Sequence, residues 1–185
     1  MTLPLETKRL HLRPFAPQHA DDMAAMNADA RVMEYFPATL SRQESDNFLR
    51  RLIDHQTTHG FAPFALHMKS DDSFVGFTGL MCATFEASFT PAVEIGWRFA
   101  HEAWGQGLGP EAAKACLAYG FEDLELDDIV SFTAKANWRS ERVMQKIGMR
   151  HDPGDDFDHP NLPQDHALRR HILYRLRREQ WTLSK

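Results

Sequence analysis

The segment Glu94-Ile-Gly-Trp-Arg-Phe-Ala-His-Glu-Ala-Trp-Gly-Gln-Gly-Leu-Gly-Pro-Glu111 constrains the fold more than any other part of the chain. Its first half reads as the end of a strand running from Ala92 to Phe99. Its second half is a glycine turn, Gly105-Gln-Gly-Leu-Gly109, closed by Pro110. Proline suits the first position of a helix, because it has no N–H to waste there. The helix that follows, roughly Pro110 to Phe121, places Ala112, Ala113, Cys116, Leu117 and Phe121 at helical spacing. A further strand is expected over Asp128–Thr133. A strand–loop–helix–strand unit implies at least one parallel pair of strands. Glycines let backbone N–H groups approach a ligand without Cβ interference, and a helix N-terminus adds partial positive charge. Together they make an anion cradle suited to a pyrophosphate. A tight turn with glycine for conformational reasons is the plain alternative.

Two familiar phosphate motifs fit poorly. A P-loop needs Lys and Ser or Thr after its last glycine, where this chain has Pro110 and Glu111. A dinucleotide fingerprint needs Gly-x-Gly-x-x-Gly near the start of a βαβ unit, and here the spacing is Gly-x-Gly-x-Gly, late in the chain.

Around this unit the chain alternates between extended and helical texture. Leu10–Pro14 reads as a strand, Asp21–Asn27 and Ala30–Tyr35 as short helical pieces. Ser41 with Glu44 three residues on is a capping-box pattern, opening a helix to about Thr58 with Phe48, Leu49, Leu52 and Ile53 on one face. Phe61–Met68 and Phe74–Met81 form a hairpin about a turn at 70–73. Arg139–Ile147 is a helix ended by Gly148. A polar, proline-containing segment, Asp152–Asp165, precedes a last strand over Arg170–Leu176. No repeat or long linker divides the chain, so one domain over 1–185 is expected.

Composition narrows the function classes. The 185 residues have a formal net charge of −5, which disfavours a nucleic-acid partner. No apolar run long enough to cross a membrane appears, so a cytoplasmic protein is expected. The two cysteines, Cys82 and Cys116, read as small core residues rather than a redox pair. The ten histidines show no metalloprotease-type or other compact ligand spacing, and no metal is expected.

Glu94-Ile-Gly-Trp97, Trp104-Gly-Gln-Gly-Leu-Gly-Pro-Glu-Ala112 and Asn137-Trp-Arg-Ser140 through Lys146-Ile-Gly-Met149, in that order, resemble the RimJ/RimL-type branch of the GNAT acetyltransferases. The opening Glu6-Thr-Lys-Arg-Leu-His-Leu-Arg-Pro14 and the closing Tyr174-Arg-Leu-Arg-Arg-Glu-Gln-Trp181 resemble that branch too. The resemblance implies an α/β (α+β) fold: a strongly twisted mixed sheet of six or seven strands with helices on both faces. The strands ending at Phe99 and Thr133 would run parallel and splay apart. It implies acetyl-CoA as cosubstrate, its pyrophosphate held by backbone N–H groups of Gly105, Gln106, Gly107, Leu108 and Gly109. Trp97 to Phe99 would pair with the pantetheine arm. Asn137 would bond the pantetheine amide, and Ser140 would lie near the thioester. Two departures stand out: Trp104 occupies a position that is usually Gln or Arg in the superfamily, and Pro110 removes one N–H donor.

The resemblance further implies direct acetyl transfer to an amine, a protein N-terminus or a small amine. An antibiotic, a polyamine and a non-catalytic CoA sensor are the alternatives, and monomer and homodimer both stay open. An α-amine has pKa ~7.7–8.0 and a lysine ~10.4, so an α-amine demands less of a base. Glu94 is the candidate base, with an arginine-paired strand carboxylate as the competing reading. Tyrosine is absent seven residues after Asn137, where Met144 stands, so Ser140 is the candidate for stabilising or protonating the leaving thiolate.

Overall fold

The computed structural model describes residues 4–183, so the two ends of the expected domain lie outside the described residues. Its elements are β1 (Leu5–Glu6), β2 (Leu10–Pro14), α1 (Ala20–Ala28), α2 (Arg42–His59), β3 (Phe64–Met68), β4 (Phe74–Cys82), β5 (Val93–Phe99), α3 (Leu108–Ala118), β6 (Asp128–Ala134), α4 (Trp138–Lys146), β7 (Arg150–His151), β8 (Phe157–Asp158), β9 (Arg170–Arg177) and α5 (Arg178–Leu183).

The strands form one mixed sheet in the order β1-β2-β3-β4-β5-β6-β9-β7, with β8 also on β9. It has nine strands rather than six or seven, because β1, β7 and β8 are two-residue pairings on the edges that leave no hydrophobic pattern to read. The β5–β6 pair is parallel and the other pairs are antiparallel.

Strand alternation divides the core into two layers. Leu10, Leu12, Phe64, Leu66, Ile95 and Phe99 pack toward α3 and α4. Ala65 and Phe77 face Met23, Met26, Leu49 and Leu52 of α1 and α2 on the other side. The Ser41 capping box forms as expected: Ser41 Oγ accepts from the Glu44 N–H at 3.3 Å, and Glu44 Oε2 accepts from the Ser41 N–H at 2.8 Å. Such a cap contributes ~0.5–2 kcal/mol.

The helical piece expected over Ala30–Tyr35 is a run of turns instead. Asp29 caps this run, accepting from the Arg31 N–H at 2.9 Å, and Pro37 follows too soon for helical pairing to propagate. This irregular stretch carries Tyr35 and Phe36 to the site described next.

Candidate active site

The parallel pair is joined at one rung, Glu94 opposite Val130. β5 is fully paired to β4 on its other side, and β6 to β9. The two strands therefore diverge past that rung, as expected, and leave the β6-facing backbone of β5 open. A cavity of about 800 Å³ occupies the cleft. Trp97, Asn137 and Ser140 line it beside the cleft, and Phe36, Phe48 and Leu52 line it from the α1–α2 side.

The glycine loop forms one end. Gly105 and Gly107 adopt left-handed backbone, φ 73° and 75°, which a side chain rarely tolerates. A Cβ on Gly105 would meet nothing within 4 Å, and one on Gly107 only Arg9 Nη2 at 3.8 Å. Conformation, then, requires these glycines, and the space above them is open. Gly107 caps α3 without a side chain, so the N–H groups of Leu108 and Gly109 precede any intrahelical acceptor. The loop is clamped from behind. Arg9 donates through Nη1 to the Gln106 carbonyl at 2.9 Å and through Nε to Glu111 Oε2 at 2.7 Å. Glu111 Oε1 accepts from the Thr7 hydroxyl and the Arg9 N–H, at 2.7 and 2.9 Å. Sequence reasoning missed this clamp; no local pattern links residues so distant. Gln106 is the one expected ligand residue that does not line the cavity: its side chain turns away and donates to the Glu102 carbonyl at 2.9 Å. Leu108 is 1% exposed, which leaves only its backbone to offer.

At the head of α4, Asn137 is the N-cap, its Oδ1 accepting from the Ser140 N–H at 3.2 Å. Its Nδ2 donates to Thr133 Oγ1 at 2.9 Å and to Ser140 Oγ at 3.1 Å. Both amide hydrogens are thereby used, and a lone pair on Oδ1 remains to accept a ligand N–H. Ser140 Oγ also accepts from Trp97 Nε1 at 3.3 Å. With both lone pairs taken, its own O–H must donate elsewhere. Of the three tyrosines only Tyr35 lines the cavity. Tyr174 is engaged with Glu141 at 3.0 Å and Gln145 at 3.2 Å.

On the α1–α2 side, Glu94, Gly96 and Arg98 share one face of β5, opposite Met81, Gly79 and Phe77 of β4. Glu94 has no hydrogen-bond or ion-pair partner among the described residues, so the arginine-paired reading does not hold. Burial pushes its carboxyl up to about 7. Burial brings the Arg98 guanidinium down to about 10. Arg98 Nη1 donates to Asn27 Oδ1 at 2.5 Å, while its buried Nε has no partner.

The segment 152–165 holds a short 3-10 turn and β8 rather than being wholly irregular, and its His159, Asn161 and Leu162 line the cavity. Phe157 and His159 pack there with Phe85, Phe89 and Phe132, ring centroids 4.6–6.3 Å apart. The histidine reading needs one correction. His55 and His59, four apart on α2, meet Cys82, which is half-buried rather than core. His55 Nε2 already accepts from the Cys82 N–H at 3.0 Å and its Nδ1 bonds the Phe61 carbonyl at 2.8 Å. Two ligand groups are then left, not three.

Residues 9–150 match the acetyltransferase (GNAT) domain family. The chain is 27% identical over 177 residues to the uncharacterized N-acetyltransferase YnaD of Bacillus subtilis, covering 96% of this chain and 98% of that protein. It is 28% identical over 184 residues to the FsC-acetyl coenzyme A-N(2)-transacetylase of Aspergillus fumigatus, covering 96% of this chain and 77% of that one. Among solved structures, a GNAT-family acetyltransferase from Bacillus anthracis superposes with a TM-score of 0.78 at 25% identity, over 96% and 99% of the two chains. A splayed parallel pair, an open glycine cradle at a helix start and a family match over most of the chain agree: the protein belongs to the GNAT acetyltransferases and is an acyltransferase enzyme.

Proposed function

We propose that this enzyme moves an acetyl group from acetyl-CoA directly to an α-amine, with Glu94 as general base and Ser140 stabilising the leaving thiolate. The unpaired Glu94 carboxyl, raised to about 7 by burial, carries the reading. A base performs best with a pKa near the working pH, and ~7 lies close to the ~7.7–8.0 of a peptide α-amine and far from the ~10.4 of lysine. Acting directly or through one water, Glu94 takes the ammonium proton. The nitrogen then attacks the thioester carbonyl, the C–S bond breaks, and the second proton lost by the nitrogen passes to the leaving thiolate through a water, with the Ser140 O–H donating a hydrogen bond to the sulfur or to that water. The open edge of β5 past Glu94 supports backbone N–H groups of Trp97–Phe99 meeting the carbonyl oxygen. The loop Gly105–Gly109 would hold the pyrophosphate through backbone alone, and Asn137 would accept from the pantetheine amide.

The sequence resemblance to the RimJ/RimL-type branch favours a peptide or protein N-terminus as acceptor. A small-molecule amine is the second reading, favoured by the relative named as an FsC transacetylase. Cytoplasmic residence and a single domain over 1–185 belong to the same proposal, the domain supported by one continuous sheet. The deciding experiment follows thiol release from acetyl-CoA with a panel of N-terminal peptides, lysine-side-chain peptides with blocked N-termini, and small amines. Turnover is expected with free α-amines. Turnover confined to lysine side chains or polyamines would overturn the α-amine assignment.

A further inference from the structure

Arg98 is a half-buried charged side chain lining the cavity, with no carboxylate to balance it. Among the described residues no Asp or Glu forms an ion pair with it. Its polar contact is the Asn27 carbonyl oxygen, itself fixed because Asn27 Nδ2 donates to the buried Ser45 hydroxyl at 2.8 Å. Its Nε is buried and unpartnered. The rings of Phe36, Phe48 and Phe77 stand 4.1, 5.4 and 5.5 Å from its Cζ. Cation–π contacts are worth ~0.5–2 kcal/mol each and do not replace a counter-ion. A half-buried guanidinium left without an anion is costly, so its retention beside a cavity it lines calls for an explanation.

Position supplies one. Glu94 and Arg98 point to the same face of β5, about 13 Å apart along the strand at ~3.3 Å per residue. Between them lie Gly96 and its cross-strand partner Gly79, and a Cβ on Gly96 would meet nothing within 4 Å. The floor is bare at Gly96, while the backbone of Pro63 packs against Gly79. No ion pair joins Glu94 to Arg98 among the described residues, so each keeps its own end of the groove. The groove has an acid–base group at one end and a fixed cation at the other.

We propose that Arg98 binds a carboxylate on the acceptor, so that the preferred substrate is an α-amine in a molecule that also carries a carboxylate. This rests on the N-acetyltransferase reading above and narrows its substrate class. Polyamines and other polycations fit such a groove badly, because Arg98 repels them. The carboxylate has two possible sources: an acidic residue at or next to a peptide N-terminus, or the acid group of a small amino-carboxylic acid. Arg98 touches the acceptor in this account and takes no part in the proton transfers.

Matched acceptor pairs test it with the wild-type enzyme: peptides with Glu or Asp at position one or two against the same peptides with Gln or Asn, and small amino-carboxylic acids against their carboxamides. The acid of a pair is expected to win by roughly 10- to 100-fold in kcat/KM, mostly through KM, the worth of a charged hydrogen bond. The arm showing that preference identifies the source. Arg98→Gln should abolish the preference and Arg98→Lys restore part of it, with calorimetric CoA binding reporting that the variants are folded. Equal use of acid and amide by the wild-type enzyme overturns the proposal, as does an Arg98→Gln enzyme that binds CoA and still prefers the acid. CoA binding without turnover of any amine in either arm sinks the N-acetyltransferase reading itself, a result distinct from acetylation without discrimination.

Discussion

At the scale of single residues, Glu94 couples activity to stability. The unfolded chain releases this proton near 4.5 and the folded chain near 7. Between those values the folded state binds more protons, so stability is full below 4.5 and falls as pH rises toward 7. At 1.36 kcal/mol per tenfold change in proton affinity, the loss is at most ~3 kcal/mol. Cys82 is the titratable neighbour, its thiol pushed up by burial and by the Glu94 charge. Glu94→Gln should therefore lower kcat ~10²- to 10⁴-fold and yet flatten the decline in denaturant midpoint from pH 5 to pH 8. An unchanged kcat would remove Glu94 as base. In Ser140→Ala, Trp97 and Asn137 lose an acceptor and the thiolate loses a donor. A fall in kcat of ~10-fold with nearly intact CoA affinity is expected when chemistry limits the rate. Full kcat would make solvent the proton source. Ser140 was readable from its place at a helix start; the two bonds that orient its hydroxyl were not, because one comes from Trp97 on another element.

At the scale of elements, the glycine loop works by being bare and held from behind. Gly107→Val imposes a left-handed backbone on a branched residue, costing ~1–2 kcal/mol of stability, and places methyl groups in the open space over the loop. The protein should still fold, since only Arg9 Nη2 at 3.8 Å lies near the new Cβ. CoA binding should weaken severely, and unchanged affinity by calorimetry would move the pyrophosphate elsewhere. The loop, its helix and the α2 cap were legible because each depends on residues a few positions apart. The run 30–35 reads as helix but is a chain of turns, because the stretch between Asp29 and Pro37 is too short for helical pairing to propagate.

At the scale of the whole molecule, the cavity draws its walls from segments distant in sequence. The stretch 152–165 and the loop carrying Phe85 and Phe89 meet through aromatic rings, behind the His159, Asn161 and Leu162 that line the cavity. Replacing 156–162 with a short Gly/Ser connection should change acceptor preference more than the KM for acetyl-CoA, because the glycine cradle lies on another part of the lining. A larger change in the CoA constant would place this loop over the cosubstrate instead. The paired carboxylate and amide acceptors described above read the same cavity from its Arg98 side.

The candidates Glu94 and Ser140 came with the family resemblance; the sequence alone determined the strand–glycine–helix unit, the helix start at Ser41 and the helix expected from Arg139. Each rests on spacing within one or two turns or strands, where covalent geometry decides what can touch. Only the tertiary structure decided that Arg9 and Glu111, 102 residues apart, brace the loop. It alone separated Glu94 from every arginine and brought Asn27 and Phe36 to Arg98. Those contacts depend on sheet register and on how helices settle over it, and a one-residue slip would turn each side chain to the opposite face.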